Sequence, residues 1–242
     1  MIDLPPPPAA LLDGASLFLD FDGTLVNFVV DPAAAEADQQ LRTLLRMVWT
    51  RLDGRLAILS GRSLCDLAAR LDLDGIAMAG SHGLERRSAD GKLTSAPIPP
   101  VLATATAAAR DFAQSNDLLL ETKAAGVALH YRDAQHAEAA VDAFARTLAE
   151  QTGLELQSGK CVRELKVPGA DKGDAVRAYM TEPPFTVGSP VMVGDDLTDE
   201  HAFIAAVALG GTAVLVGDAR PSAAQFRLPT VEATRAWLAT AA

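Results

Sequence analysis

The sequence is poor in three features that would each have pointed to a particular class of protein: cysteine, basic residues and long apolar runs. Its two cysteines, Cys65 and Cys161, lie far apart and show neither a disulfide pattern nor a metal-ligand spacing. No apolar run reaches the length of a transmembrane helix, and the N-terminal segment lacks the pattern of a signal peptide. We therefore expect a cytoplasmic protein without a disulfide framework.

The charge balance is acidic. Lysine and arginine number 21 against 31 aspartates and glutamates, which gives a net charge of −10. An acidic surface argues against nucleic acid or an anionic membrane as the main partner. A site for an anionic substrate would therefore have to gather its own cations.

Short apolar runs alternate with helical patterns at both ends of the chain. Strands are predicted from the runs at 16–19, 56–59, 76–79, 190–193 and 213–216. Helices are predicted from the periodicity at 41–52, 63–73, 172–181, 202–209 and 232–240. This alternation predicts an α/β protein with right-handed β-α-β units and a parallel sheet covered on both faces.

The middle of the chain follows a different pattern, which begins after Pro97, Pro99 and Pro100. Its helical and strand-like runs come in the order α-β-β-α-β-β, at 101–114, 118–122, 126–132, 137–151, 154–157 and 161–167. That order predicts helices on one face of a small antiparallel sheet. We expect an α+β domain at 97–170, inserted into a core made of 1–96 and 171–242. The hairpin at 89–91 could belong to either part.

Two carboxylates follow the first strand, in the run Asp20-Phe21-Asp22-Gly23-Thr24. They should emerge together at the end of a buried strand, where Gly23 permits a sharp turn. Carboxylates crowded in this way repel each other unless a cation or a proton lies between them. The arrangement is suited to binding Mg²⁺ and to attacking phosphorus.

Three further polar clusters follow or adjoin the core strands, namely Ser60, Lys172 and the acidic run with Asp195. Ligands of parallel α/β sheets bind at the carboxyl ends of the strands. The combined groups predict phosphoryl transfer through an aspartyl-phosphate, with Asp20 as nucleophile and Asp22 as acid and base. Mg²⁺ would be held by Asp20, Asp195 and the carbonyl of Asp22. Ser60 and Lys172 would bind the phosphate oxygens.

The order of these motifs resembles that of the haloacid dehalogenase superfamily of phosphatases. Further motifs resemble the trehalose-6-phosphate phosphatase family, namely the runs at 60–62, 80–85, 126–132, 159–164, 171–173 and 194–200. The resemblance implies a Rossmann-like core, an inserted α+β cap domain of the C2B type, Mg²⁺ dependence, and trehalose and phosphate as products. We expect a monomer that acts on a sugar phosphate and binds neither nucleic acid nor a membrane.

The resemblance also implies roles for individual residues. Asp20 would be the nucleophile, Asp22 the acid and base, and Asp195 a metal ligand, with Asp196 and Asp199 orienting the metal site. Contacts with the substrate are expected from residues of the core and the inserted domain: Arg62, His82, Glu121, Lys123, His130, Arg132, Lys160 and Glu164.

Plainer interpretations remain open for several of these residues. Ser60 could cap the helix that follows it, and Arg62 could be a structural ion-pair partner. His82 could be a buried structural histidine, and the face that carries His130 and Arg132 could be the solvent side of its strand. The same chemistry could act on sucrose phosphate, mannosylphosphoglycerate or a phosphomonosaccharide. A phosphomutase and a non-catalytic sugar-phosphate binding module are the remaining alternatives.

Overall fold

The structure is a computed structural model that describes residues 4–27, 37–123, 125–159, 161–169 and 171–241. It divides into two compact units, one made of Met1–Ser95 with Ala170–Ala242 and the other of Ala96–Gly169. Within the described segments, every helix falls short of the length and hydrophobicity that a bilayer-crossing span requires.

The described residues form twelve strands and seven helices, numbered here in chain order. The strands are β1 Ala15–Asp20, β2 Leu56–Leu59, β3 Ala77–Gly80, β4 Glu85–Arg87, β5 Leu93–Ser95, β6 Leu119–Lys123, β7 Gly126–His130, β8 Glu155–Gly159, β9 Val162–Lys166, β10 Ser189–Gly194, β11 Thr212–Val216 and β12 Phe226–Leu228. The helices are α1 Gln39–Arg51, α2 Leu64–Leu71, α3 Val101–Ser115, α4 Glu138–Thr152, α5 Lys172–Tyr179, α6 Glu200–Ala208 and α7 Val231–Leu238.

The first unit is built on an eight-stranded sheet in the order β12-β11-β10-β1-β2-β3-β4-β5. The six strands from β12 to β3 run parallel, and β4 and β5 add an antiparallel hairpin at one edge. The hairpin that the sequence left unassigned therefore belongs to this unit. The predicted α/β fold with a mostly parallel central sheet is confirmed.

Both faces of this sheet are covered, as the alternation in β1 shows. Leu17 and Leu19 pack in the apolar cluster that contains residues of α1, α2 and α7. Phe18 points to the opposite face, because successive side chains of a strand alternate. There it packs with α5 and α6, and its ring stacks on Phe185 with 5.5 Å between centroids. The central strands are thus buried on both sides, which leaves their ends as the accessible part of the sheet.

The second unit has the predicted α-β-β-α-β-β order, with an antiparallel sheet β6-β7-β9-β8. Leu129 and Tyr131 form its core with Ala113 of α3 and Val141 of α4. The side chains that alternate with these lie on the other face of the sheet. That face is the one that carries the candidate binding residues described below.

Candidate active site

The carboxyl ends of three adjacent strands bring predicted catalytic groups together. β1 lies between β10 and β2 and runs parallel to both. Asp20 ends β1, Ser60 follows β2, and Asp195 follows β10. Parallel neighbours end at the same edge of a sheet, so the three side chains emerge side by side.

Lys172 lies between two of the aspartates. Its Nζ donates to Asp20 Oδ1 at 2.6 Å and to Asp199 Oδ1 at 2.7 Å, and all three side chains are buried. Lys172 is the first residue of α5, and a capping box between Asp171 and Asp174 fixes the start of that helix. The cap therefore also fixes the backbone from which the lysine reaches the aspartates.

Asp195 is held against the turn that follows β1. Thr24 Oγ1 donates to Asp195 Oδ1 at 3.2 Å. Gly23 has φ of +82°, and a Cβ built at this position would lie 2.2 Å from Asp195 Oδ2. A side chain at position 23 would therefore be strained and would also collide with the carboxylate.

Asp20, Asp195 and Asp199 can each offer a carboxylate oxygen, and these oxygens lie within 4.8 Å of one another. Carboxylate oxygens are the ligands that hard divalent cations prefer. Both oxygens of Asp199 already accept hydrogen bonds, Oδ1 from Lys172 and Oδ2 from the backbone N–H of Asp195 and Asp196. The cluster can hold a metal ion, and Asp20 and Asp195 are its better placed ligands.

Asp22 and Asp196 were expected at the metal, and the structure does not place their carboxylates in this cluster of described residues. Asp196 Oδ1 accepts hydrogen bonds from the backbone N–H and the hydroxyl of Thr198, each at 2.6 Å. The carboxylate of Asp22 pairs with Arg62, and its carbonyl was the expected ligand. Metal binding by these two residues stays a prediction.

Burial and crowding perturb the titration of the cluster. Burial raises the pKa of Asp20, against the opposing attraction of Lys172. Burial and the neighbouring Asp199 and Asp196 raise the pKa of Asp195 to about 7. Burial also raises the pKa of Asp199. The carboxylates thus hold protons more tightly than usual, because they are buried and lie close to one another.

Lys172 and Asp196, next to this cluster, have pKa shifts that favour their charged forms. Burial acts to lower the pKa of Lys172, but the attraction of Asp199 and Asp20 outweighs it and the pKa is raised. Burial likewise acts to raise the pKa of Asp196, but Lys172 and the hydrogen bonds of Thr198 lower it overall. Lys172 therefore stays charged between the aspartates.

Arg62 forms a forked pair with Asp22, with Nε and Nη2 each 2.7 Å from one carboxylate oxygen. Its Nη1 also lies 3.0 Å from Asp66, which pairs in turn with Arg70 at 2.8 Å. The ion-pair interpretation of Arg62 is therefore correct, and contact with substrate stays a prediction. A bidentate pair of this kind fixes the orientation of the Asp22 carboxylate.

Ser60 is buried, and its hydroxyl oxygen accepts from the backbone N–H of Arg62 at 3.1 Å. The alternative that Ser60 caps α2 is wrong, because Ser63 is the N-cap and accepts from Asp66 N–H at 3.2 Å. His82 lies beside Gly61, where a Cβ would be 2.7 Å from the imidazole Cε1. The sequence could not distinguish Ser60 from Ser63, since both precede the same helix.

The candidate residues of the second unit lie mainly on one face of its sheet. Glu121, Ala128 and Glu164 are cross-strand partners in β6, β7 and β9, so their side chains share a face. On that face Lys123 Nζ contacts Glu164 Oε2 at 2.6 Å, and His130 Nε2 lies 2.9 Å from Glu121 Oε2. Arg132 follows the end of β7 and is exposed, and Lys160 lies outside the described residues.

Three residues of the first unit interact with the site but were given no role from the sequence: Thr24, Glu200 and Arg220. Thr24 belongs to the Asp-x-Asp-Gly-Thr run, which was the available signal. Glu200 ends the motif at 194–200. Arg220 lies in the segment after β11, which is a neighbour of β10 in the sheet. No sequence motif pointed to this residue.

Comparison with known proteins identifies the family to which the chain belongs. A family model described as trehalose-phosphatase matches residues 18–232. The chain is 37% identical over 224 residues to the trehalose-6-phosphate phosphatase of Escherichia coli K12, covering 91% of this chain and 84% of the relative. It is 35% identical over 239 residues to a probable trehalose-phosphate phosphatase of Sinorhizobium fredii, covering 96% and 89%.

Solved structures have the same fold. The C-terminal domain of a C. albicans trehalose-6-phosphate phosphatase superposes with a TM-score of 0.81 at 21% identity, over 98% of each chain. A haloacid dehalogenase-like hydrolase from B. subtilis gives a TM-score of 0.64 at 15% identity, over 93% of this chain and 98% of the other. On its sequence matches and its haloacid dehalogenase-like fold, this chain belongs to the trehalose-phosphatase family of phosphoric monoester hydrolases.

Proposed function

We propose that this protein hydrolyses trehalose 6-phosphate to trehalose and inorganic phosphate, with Mg²⁺ as cofactor and a phosphorylated Asp20 as intermediate. The observation that carries the proposal is the convergence of Asp20, Asp195, Asp199 and Lys172 at the carboxyl edge of the parallel sheet. The substrate is proposed from the names of the relatives that match over most of this chain.

In the first step, a carboxylate oxygen of Asp20 attacks phosphorus as the bond from phosphorus to the sugar oxygen breaks. Asp22 donates a proton to the departing alkoxide. In the second step, Asp22 accepts a proton from water as that water attacks the aspartyl-phosphate and releases phosphate from Asp20. Bound Mg²⁺ supplies positive charge that offsets repulsion between the carboxylate and the phosphate.

The pair between Arg62 and Asp22 bears on this proton transfer. Arg62 contacts both oxygens of the Asp22 carboxylate, so each oxygen already has a partner. Asp22 must therefore exchange at least one of its 2.7 Å contacts with Arg62 for the substrate's leaving oxygen before it can act as an acid. In the second step, the same pair would hold the Asp22 carboxylate in a fixed orientation towards the attacking water.

Ser60 and Lys172 bind the non-bridging phosphate oxygens in this proposal. Lys172 is charged and buried, so its interaction with a phosphate would be screened little by solvent. Asp199 positions the lysine through the 2.7 Å contact and is best regarded as a positioning residue.

We assign recognition of the sugar to Glu121, Lys123, His130 and Glu164, with Arg132 and Lys160 as further candidates. Carboxylates, ammonium and imidazole groups exchange hydrogen bonds readily with hydroxyl groups. The pairs that these residues form are part-buried, so their partners can be exchanged for sugar hydroxyls.

The cytoplasmic location and the monomeric state stay predictions. Size-exclusion chromatography would test the monomeric state.

Phosphate release from a panel of sugar phosphates, with Mg²⁺ and with EDTA, tests the proposal. We expect Mg²⁺-dependent release with a clear preference for trehalose 6-phosphate. A preference for sucrose phosphate, mannosylphosphoglycerate or a phosphomonosaccharide would change the substrate and keep the chemistry. Transfer of phosphate to a second sugar would indicate a phosphomutase. Binding without turnover would overturn the catalytic proposal.

A further inference from the structure

Two side chains, one on each side, bind the backbone of the loop at Asp195 and Asp196. On one side, Asp199 Oδ2 accepts from the backbone N–H groups of Asp195 and Asp196, at 3.0 and 3.1 Å. On the other side, Arg220 Nη2 donates to the carbonyl oxygen of Asp196 at 2.7 Å and to that of Asp195 at 3.4 Å. Both backbone polar groups of the two residues therefore have a side-chain partner.

Arg220 is itself anchored. Its Nη1 contacts Glu200 Oε1 and also donates to the carbonyl oxygen of Pro221 at 3.2 Å. The second oxygen of Glu200 accepts from the backbone N–H of Ala223 at 2.9 Å, so Glu200 ties the start of α6 to the segment after β11. The side chains of Arg220 and Glu200 are 22% and 19% exposed, which makes this a largely enclosed pair.

The position of the Asp195 carboxylate depends on this backbone as well as on its 3.2 Å contact with Thr24. A cation site requires its ligands at fixed separations, so a shift of the loop would alter the distance from Asp195 to Asp20. Because Glu200 balances the charge of Arg220, the pair adds little net charge near the metal cluster. Its effect on the site should come from geometry rather than from the local field.

We propose that Arg220 is a positioning residue that sets the affinity of the site for a divalent cation, by holding the carbonyl groups of Asp195 and Asp196. The inference rests on the proposed metal-dependent function. It gives a role to a residue outside all of the sequence motifs, and to Glu200 as the anchor of that residue.

Calorimetric titration of the full chain with MgCl₂, without substrate, is the direct test. We expect Arg220→Ala to bind Mg²⁺ about tenfold more weakly than the unaltered protein, the effect typical of groups that orient metal ligands. Excess Mg²⁺ should then restore kcat to within about twofold of the unaltered protein, because the reacting groups remain in place. A general loss of folding would not be rescued in this way.

Arg42 provides a matched control, because it also donates to two successive carbonyl oxygens, those of Leu71 at 2.9 Å and Arg70 at 3.2 Å. Arg42→Ala should leave Mg²⁺ affinity within about twofold, because the carbonyl groups that it contacts belong to the end of α2 and not to the loop at Asp195 and Asp196. If Arg42→Ala weakens Mg²⁺ binding as much as Arg220→Ala does, the effect is general loosening and the inference is wrong.

Arg220→Lys keeps the test decisive should the alanine variant fail to fold. Lysine retains the charge but cannot reproduce the fork, so Mg²⁺ binding should weaken by about threefold, between the alanine variant and the unaltered protein. Unchanged Mg²⁺ affinity in either folded variant would overturn the role of Arg220. If the unaltered protein itself binds no Mg²⁺, the proposed metal dependence fails and this inference fails with it.

Discussion

Each unit of this protein contains a lysine–carboxylate contact of 2.6 Å, and the two contacts lie in very different surroundings. In the first unit, the side chains of Lys172 and Asp20 are 4% and 6% exposed. In the second unit, those of Lys123 and Glu164 are 25% and 10% exposed. The same chemical pair is thus enclosed in one unit and partly open in the other.

The difference shows how the two pairs can be used. Removing charged groups from water is costly, and the enclosed pair is stabilised only as part of a larger set that includes Asp199. Such a set of buried groups keeps a fixed geometry, which suits it to catalysis. The more open pair can exchange one partner for a ligand group at lower cost, which suits selection among substrates. The predictions below test this division, from the largest expected effect to the smallest.

Asp20→Asn should lower phosphate release by about 10⁴-fold or more, because the amide cannot act as the nucleophile. Circular dichroism should show that the fold is retained. Asp13→Asn is the control, since the Asp13 side chain is 70% exposed and lies in the same unit. Near-normal turnover in Asp20→Asn would rule out the aspartyl-phosphate mechanism.

Lys172→Met should lower kcat by about 10³-fold, the loss seen when a preorganised group that stabilises transition-state charge is removed. The loss should be similar for trehalose 6-phosphate and an aryl phosphate, since both carry the same phosphate group. The exposed Lys92 offers the matched change, and Lys92→Met should have no effect on kcat. A loss confined to the sugar phosphate would contradict the proposal that Lys172 acts on the phosphate group.

Glu164→Gln should lower kcat/KM for trehalose 6-phosphate by about 10- to 100-fold, the cost of a lost charged hydrogen bond. Hydrolysis of an aryl phosphate should change much less, because that substrate has no sugar to recognise. Glu155→Gln in the same sheet is the control, since Glu155 is 51% exposed. Equal losses on both substrates would remove Glu164 from sugar recognition.

Mg²⁺ binding should depend on pH through Asp195, whose pKa is raised to about 7. A carboxyl with this pKa is about one-tenth ionised at pH 6 and nine-tenths ionised at pH 8, so Mg²⁺ affinity should rise about tenfold between them. Calorimetry in buffers of different ionisation enthalpy should show proton release on binding. Affinity independent of pH over this range would contradict the crowding of Asp195.

The same raised pKa has a consequence for stability. The folded protein holds the Asp195 proton more tightly than the unfolded chain, so this group makes the metal-free protein less stable as pH rises from about 4 towards 7. Mg²⁺ should offset the loss. The rise in melting temperature on adding Mg²⁺ should therefore be larger at pH 8 than at pH 6.

Much of the fold could be predicted, because the central strands are buried on both faces and read as continuous apolar runs. The edge strand β12 could not, since it has three residues and Arg227 stands in its middle. Convergence of Asp20, Ser60 and Asp195 could be predicted, because each residue lies at the carboxyl end of a predicted parallel strand. The pairing of Arg62 with Asp22 and of Arg220 with the carbonyl of Asp196 did not, because both depend on how separate loops meet in space.

Position 23 carries a further consequence. Its φ of +82° disfavours residues with a side chain, and a Cβ there would also lie 2.2 Å from Asp195 Oδ2, a clash that arises from the reacting centre rather than from the apolar core. In sequences that diverge from this one, retention of Gly23 should therefore report selection for turnover in addition to selection for folding. In a saturation library, this one codon should lose its diversity as soon as survival depends on phosphate release.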